Sequence, residues 1–175
     1  MPRLSEMPAA DRSAVATEAV ERGSLLRAPA SDADIMATSA RLGVALPESL
    51  RRFYRASNGF SIPLLDAEDG EIWPVERVGW FRDTEPALVR ELESTGRDPS
   101  DEEYLVYGPA QRLQAVRTRY VRGLVQLTPF VDCAALCLNP QIVHDGEWEA
   151  WFLGIKLPGA RRYRSFQDLM ISMGT

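Results

Sequence analysis

The segment from Leu42 to Phe60 constrains the fold of this chain more than any other part of its sequence. Pro47 suits the first turn of a helix, because its fixed φ angle fits there and its missing N–H leaves no donor unsatisfied. Leu50, Phe53 and Tyr54 follow at helical spacing and place three large apolar side chains on one face. The segment therefore predicts a short amphipathic helix that packs against a core.

Turn-forming residues bound this helix on both sides. Asn58-Gly59 predicts its end, since either residue tolerates the left-handed conformation common at helix C-termini, and a strand is expected over 60–64. Upstream, Ser31–Asp34 has the pattern of a capping box for an earlier helix, which Gly43 is expected to end. The chain is therefore expected to form two consecutive helices and then a strand.

The order of Leu-Gly-x-x-Leu-Pro, a second helix and Asn-Gly resembles the signature of the SUKH superfamily. Four later blocks are similar to that family in order and spacing: Leu127–Phe130, Ala135–Leu138, Asp145–Trp148 and Tyr163–Leu169. The superfamily includes yeast cell-wall-assembly regulators and many bacterial toxin-immunity proteins. The resemblance, which covers most of residues 31–171, implies an α+β domain that binds other proteins.

Further elements are predicted downstream from apolar patterns that Gly and Pro interrupt. The predicted strands are 71–73, 104–107, 113–120, 124–127, 134–138 and 148–155, and the predicted helices are 86–93 and 165–171. Helices, a run of strands and a closing helix are the order of an α+β fold. We expect an antiparallel or mixed sheet of about five to six strands, flanked by helices, in a single SUKH-like domain.

The length of the chain fits one domain, which we expect to span residues 31–175 with an acidic insertion around 82–103. Residues 1–30 are expected to be an N-terminal arm or a peripheral helix, with the helix at 12–22. The sequence contains no run of about 18 apolar residues and no signal-peptide pattern at its start. We therefore expect a cytoplasmic protein that does not associate with a membrane.

Acidic residues are concentrated in the middle of the chain. The net charge is −5, and residues 66–103 alone hold 13 Asp or Glu against 4 Arg. Clustered charge of one sign speeds association with a partner of opposite charge, whereas an acidic protein binds nucleic-acid phosphates poorly. The charge distribution therefore favours a basic protein partner and argues against nucleic acid.

The expected partner-binding residues are an acidic hairpin turn and nearby aromatic side chains: Asp66, Glu68, Asp69, Glu71, Trp73, Trp80 and Phe81. Aromatic anchors beside charged residues are typical of protein-binding hot spots. Other interpretations stay open: the carboxylates could form a solvated turn, which we favour over a divalent-cation site, and the aromatic side chains could belong to the core, as we favour for Trp73. We expect no metal and no cofactor.

A basic cluster is the best candidate for contact with nucleic acid. It consists of Arg112, Arg117, Arg119 and Arg122, with Tyr120 among them. The alternation of Arg117 and Arg119 is equally typical of a strand with one face in solvent. The acidic charge of the whole chain favours this second interpretation.

His144 is the single histidine of the chain, so a hydrolase would have to use it as the catalytic base. The alternative is a strand-connecting turn at His144-Asp145-Gly146, which we favour because the sequence has no Gly-x-Ser-x-Gly motif. Cys133 and Cys137 are too far apart in an extended chain for a disulfide and too few for a zinc site. We expect reduced thiols and no enzyme activity.

The resemblance narrows these observations to one hypothesis. It implies a bacterial immunity protein that binds and neutralises a cognate toxin. The acidic surface would suit a basic nuclease, whose active surface it would block. We expect a monomer or weak homodimer. The first alternative is a regulatory or scaffold module of the cell-wall-regulator type. The second is a hydrolase that uses His144.

Overall fold

The computed structural model describes residues 26–61, 71–95, 98–131, 133–154 and 159–173. The helix predicted at 12–22, and with it most of the expected N-terminal arm, lies outside these residues. The chain clusters into two compact units. The first unit takes residues up to 46 together with 51–78 and 128–132, and the second takes 47–50, 79–127 and 133–175.

The first unit contains helix α1, Asp32–Leu42. The Ser31 hydroxyl accepts a hydrogen bond from the Asp34 N–H, and the Asp34 carboxylate accepts one from the Ser31 N–H. Gly43 ends the helix in the left-handed conformation, with a φ angle of 71°. The predicted capping box and the predicted end of the helix are both confirmed.

Helix α2 spans Glu48–Ala56 and begins within one residue of its predicted start. Leu50 and Tyr54 are completely buried, and Phe53 meets Tyr54 edge-on with the ring centroids 5.2 Å apart. The Tyr54 hydroxyl donates to the Trp73 carbonyl at 3.0 Å, so its polar atom is satisfied inside the core. These contacts confirm the predicted apolar face of the helix.

Two short strands follow in the first unit, β1 (Phe60–Ser61) and β2 (Glu71–Ile72). They pair antiparallel with Phe60 opposite Ile72, which confirms the predicted hairpin, although its turn lies outside the described residues. Leu26 forms a further β-bridge to Phe60. The end of the expected N-terminal arm thus joins the first unit.

A 3₁₀ turn at Val75–Arg77 packs against α1 in the same unit. The buried Thr38 hydroxyl donates to the Val75 carbonyl at 3.0 Å, and the Arg41 guanidinium donates to the Val78 carbonyl at 2.5 Å. Side-chain donors therefore satisfy backbone carbonyls that no strand partner reaches.

A five-stranded sheet forms the centre of the second unit, in the order β3-β4-β5-β6-β7. Its strands are β3 (Gly79–Trp80), β4 (Val125–Gln126), β5 (Ala134–His144), β6 (Glu147–Gly154) and β7 (Gly159–Tyr163). Every neighbouring pair is antiparallel, so the sheet is not mixed. The sheet and its helices confirm the predicted α+β fold.

The second unit has helices at α3 (Phe81–Thr84), α4 (Pro86–Thr95), α5 (Asp101–Tyr104) and α6 (Phe166–Met173). The predicted helices 86–93 and 165–171 are therefore confirmed. The Ser165 hydroxyl accepts from the Asp168 N–H at 3.0 Å and caps α6, which packs against β6 and β7. Phe166 and Leu169 are buried on the packed face.

Two of the predicted strands, 104–107 and 113–120, are wrong. Ser100 opens a second capping box, so Asp101–Tyr104 forms α5 instead of leading into a strand. Thr118–Gly123 forms a 3₁₀ turn. Apolar alternation over so few positions does not separate a strand from a short helical turn.

Strand β7 is missing from the sequence-based prediction because Gly-Ala-Arg-Arg-Tyr has no apolar run. It forms because its outer edge is covered: the Arg162 N–H donates to the Gln111 side chain at 2.7 Å, and the Gln111 amide donates to the Arg162 carbonyl at 3.2 Å. The Ala160 N–H donates to the Leu113 carbonyl at 3.0 Å. The loop thus takes the place of another strand and protects this edge.

Strand β5 runs beyond its predicted end and contains a bulge. Asn139 lies opposite Glu149, and Val143 lies opposite Trp148, so residues 140–142 have no opposite partner in β6. A bulge bends the strand and changes the direction of the side chains that follow it. It allows β5 to continue to the turn that joins it to β6.

We expect the two glycines of the signature segment to differ in their tolerance of alanine. Both have positive φ angles, but a Cβ at Gly43 meets nothing within 4 Å, whereas one at Gly59 would lie 2.6 Å from the Ile72 carbonyl oxygen. Gly43→Ala should lower the free energy of unfolding by about 1–2 kcal/mol, and Gly59→Ala by at least twice as much. Urea denaturation measures the difference, and equal losses would contradict the close approach of Gly59 to β2.

Candidate functional site

The predicted acidic turn is described in part. Three of its carboxylates lie outside the described residues: Asp66, Glu68 and Asp69. Glu71 is described in the first unit, where its carboxylate pairs with Arg27 and, at 3.0 Å, with Arg77. Only 19% of the Glu71 side chain is exposed. Glu71 is therefore part of a local ion-pair cluster.

The predicted aromatic residues differ in their exposure. In the first unit, Trp73 is 4% exposed, and the Arg77 guanidinium lies over its ring, 4.6 Å from the centroid. In the second unit, Phe81 is completely buried, whereas Trp80 is partly exposed beneath Arg82 at 4.5 Å. Burial thus places Trp73 and Phe81 in the cores of their units, and Trp80 keeps accessible surface.

Acidic and arginine-rich segments pair with each other in the second unit. Residues 98–122 contain four acidic residues and four arginines. The ion pairs of this surface are Asp98–Arg119 at 3.1 Å, Glu103–Arg112 at 3.5 Å, Glu93–Arg122 at 2.7 Å, and Asp101–Arg117. The two clusters of opposite charge that are separate in the sequence therefore neutralise each other in the structure.

Arg117 is the buried member of this group of ion pairs. Its guanidinium donates to Asp101 and to the Tyr120 hydroxyl and lies 4.5 Å from the centroid of the Tyr104 ring. Aromatic faces and a carboxylate replace the water that the cation loses on burial. The strand predicted from the alternation of Arg117 and Arg119 is not formed, and a buried guanidinium is poorly placed to contact phosphates.

A buried carboxylate, that of Glu149, lies at the centre of the second unit. Its four hydrogen-bond donors are the Tyr104 hydroxyl at 2.5 Å, the Tyr107 hydroxyl at 2.9 Å, the Asn139 amide at 2.9 Å and the Trp151 indole at 2.7 Å. The Arg162 guanidinium, also completely buried, lies 3.5 Å away. Three of these donors meet Oε2, and Tyr107 and Arg162 meet Oε1, so both oxygens of the carboxylate have partners inside the protein.

Strand register explains how the sequence assembles this network. Glu149 and Trp151 share one face of β6, Asn139 lies opposite Glu149, and Arg162 of β7 lies opposite Trp151. The two tyrosines come from α5 and the loop that follows it. The network therefore joins the sheet to the segment 98–123. Sequence analysis missed it, although a Glu between Trp148 and Trp151 in an apolar strand is a signal for a buried charge.

Burial keeps the two tyrosines of the network neutral. Loss of solvent raises the pKa of Tyr104 and of Tyr107 well above the ordinary tyrosine value, and the negative charge of Glu149 raises both further. The Arg162 guanidinium lies 4.0 Å from the Tyr104 ring centroid and opposes part of this shift. Both hydroxyls therefore remain proton donors to Glu149.

His144 lies at the partly exposed end of the same network. Its Nε2 is 2.8 Å from the Tyr107 hydroxyl, and the two rings meet edge-on. Since the Tyr107 O–H donates its hydrogen bond to Glu149, the Tyr107 oxygen is left to accept one from Nε2 of His144. Among the described residues its hydrogen-bond partner is a phenol, whereas the hydrolase hypothesis needs a serine or cysteine there. Asp145 and Gly146 have φ angles of 51° and 83° and form the predicted turn.

Both cysteines are free thiols, which confirms the expectation from their spacing. Cys137 is completely buried opposite Trp151, and burial raises the pKa of its thiol. Across the described ranges, no group of three or more His, Cys, Asp or Glu side chains could hold a metal ion. No helix within those ranges is long and apolar enough to cross a membrane.

Comparison with known families identifies the scaffold. The model of the SMI1/KNR4 family (SUKH-1) matches residues 29–118, about half of the chain. The chain belongs to this family. As a SUKH-1 protein it carries a module of the toxin-immunity or cell-wall-regulator type. The match includes helices α1 to α5 and most of segment 98–122, and it ends before β4. Comparisons with curated proteins and with solved structures find no match.

The completely buried tyrosines, Tyr54 and Tyr104, predict how the stability of the protein depends on pH. Their pKa values are raised by folding, so the unfolded chain loses these protons first, near pH 10. The stabilisation is therefore complete below pH 10 and falls as the pH rises above it, by about 1.4 kcal/mol per pH unit for each such tyrosine. Tyr104→Phe should make this decline shallower, and urea denaturation between pH 8 and 11 measures the slope. An unchanged slope would contradict the assignment.

Proposed function

We propose that this SUKH-1 protein is an immunity protein that binds a cognate protein toxin and blocks its active surface. Its family membership carries the proposal, because the module is of the toxin-immunity or cell-wall-regulator type and both types bind proteins. The signature segment, with Gly43 at the end of α1, indicates the fold of the domain and does not indicate a catalytic reaction. The proposed site of action is the cytoplasm, where the protein would act as a monomer or weak homodimer.

The carboxylates of the acidic turn supply the proposed steering charge. Asp66, Glu68 and Asp69 lie next to Glu71 in the sequence, and these four acids fall within six residues that contain no basic side chain. Such a run raises the rate of encounter with a basic surface, and nucleases present basic surfaces to hold phosphates. A basic nuclease is therefore the toxin that this sequence suits best.

The second unit supplies a rigid platform for binding. Its central carboxylate is saturated by donors from the sheet and from segment 98–123, so the loops above the sheet are fixed before a partner arrives. A surface ordered in advance loses less conformational freedom on binding. Trp80, partly exposed in this unit, is the aromatic residue proposed to contact the toxin.

The test is to express each gene that neighbours the gene of this chain in a bacterial host, alone and with the chain. We expect one neighbour to be toxic alone and tolerated with the chain, and the two purified proteins to bind. Replacing Asp66, Glu68 and Asp69 by Asn, Gln and Asn should slow association about tenfold at low salt and leave dissociation unchanged.

A matched control neutralises Asp83, Glu91 and Glu102, exposed side chains elsewhere, and changes the net charge by the same amount. We expect a smaller loss of association rate from this control. Absence of toxicity in every neighbour, or toxicity that the chain does not relieve, would rule out the immunity proposal.

The regulatory alternative is favoured by the same family match, since the family takes its name from its SMI1 and KNR4 members. It predicts that affinity purification from the native host recovers housekeeping partners. Recovery of a neighbouring gene product as the main partner would instead support immunity.

A further inference from the structure

An open groove of about 900 Å³ lies on the surface of the second unit. Its lining residues come from two segments, one that leads into α5 and one that leads into the 3₁₀ turn Thr118–Gly123: Asp98, Pro99, Ser100, Glu103, Arg112, Gln114, Ala115 and Arg119. The volume is that of a site for a short peptide or a small molecule.

Two ion pairs cross between the two segments of the groove. Asp98 pairs with Arg119 at 3.1 Å, and Glu103 pairs with Arg112 at 3.5 Å. The Arg112 and Glu103 side chains are 74% and 51% exposed. Exposed ion pairs contribute about 0–1 kcal/mol, so a partner can replace either member at little cost.

The groove is held in shape from beneath. Arg117, from the second segment, is buried and donates a hydrogen bond to Asp101 of the first. The Glu103 carboxylate accepts the Ser100 N–H at 3.3 Å in the capping box. The Thr118 hydroxyl donates to Asp98 at 3.4 Å. The charged groups are therefore positioned before any partner binds, as specific recognition requires.

The mixture of charges decides what the groove can accept. Asp98 and Glu103 repel the phosphates of nucleic acid, and Arg112 and Arg119 repel a uniformly basic surface. The polar lining offers little apolar area to a hydrophobic ligand. An extended polypeptide with alternating charge satisfies both signs, because its carboxylates can meet the arginines while its cations meet the two acids.

We propose that this groove docks a segment of alternating charge from a protein partner. In the immunity function proposed above, on which the identity of the partner rests, the acidic turn speeds the encounter and the groove selects the toxin. A toxin that is basic overall would then need acidic residues in the docked segment. Charge reversal in the groove changes which segment fits.

The probe is an eight-residue peptide that alternates lysine and glutamate, titrated into the full ¹⁵N-labelled chain at low ionic strength. Peptides of eight lysines and of eight glutamates are the controls. We expect the alternating peptide to shift the amide signals of Ser100, Glu103, Gln114 and Ala115. Both uniform peptides should shift these signals less.

Charge-reversal variants distinguish docking of the peptide in the groove from non-specific electrostatic attraction to the protein. Arg112→Glu and Glu103→Arg should each weaken binding of the alternating peptide about fivefold, since one sign of charge is lost from the exposed pair. Reversing both ion pairs together, with Asp98→Arg, Glu103→Arg, Arg112→Glu and Arg119→Glu, should regain binding, because an alternating peptide then fits all four charges after a shift of one residue. Arg52→Glu, at an exposed position in the first unit, makes the same change of net charge as Arg112→Glu and should leave binding unchanged.

Unmoved groove signals, equal shifts with the lysine peptide, or a variant with both ion pairs reversed that binds no better than the single variants would each overturn the proposal. These outcomes do not depend on a toxin. Peptide binding without a toxic neighbour supports the groove and removes the immunity function. A protective interaction with a toxin, combined with a groove that binds no peptide, supports the immunity function and rules out docking in the groove.

Discussion

The second unit depends on one interaction, the buried carboxylate of Glu149 and the donors that saturate it. An unpaired charge in a protein interior is very costly, and even a paired one repays its loss of water only when every acceptor position is used. Four hydrogen bonds and the Arg162 guanidinium meet that requirement. Because the donors come from the sheet and from segment 98–123, the carboxylate fixes the loops to the sheet.

This attachment determines which charges reach the surface. Fixing the loops brings the carboxylates of residues 93–103 against the arginines of residues 112–122, and the two sets form ion pairs. In the sequence, these acidic residues and arginines form two separate blocks. In the folded protein, they lie side by side and form a surface of alternating charge. Such a pattern suits a protein partner better than a nucleic acid. It agrees with a SUKH-1 module that acts by binding.

Local signals in the sequence predicted the first unit and the closing helix well. Ser31, Gly43 and Ser165 act within one turn of their own position, so caps and helix ends follow from a few neighbouring residues. Strand β7 and the Glu149 network could not be predicted in this way. Arg162 joins a strand only because Gln111 covers its edge and Glu149 neutralises its charge, and both partners are distant in sequence.

Hydrogen exchange in a Glu149→Gln variant tests the central role of this carboxylate most directly. Glutamine keeps the size of the side chain but leaves the buried Arg162 without a counter-charge, a change that costs about 3–5 kcal/mol. We predict that the backbone amides of Tyr104, Leu105 and Tyr120 exchange about 100-fold faster or more, while those of β5 and β6 change much less. Unchanged protection at these three amides, or an equal loss across the whole sheet, would contradict the account.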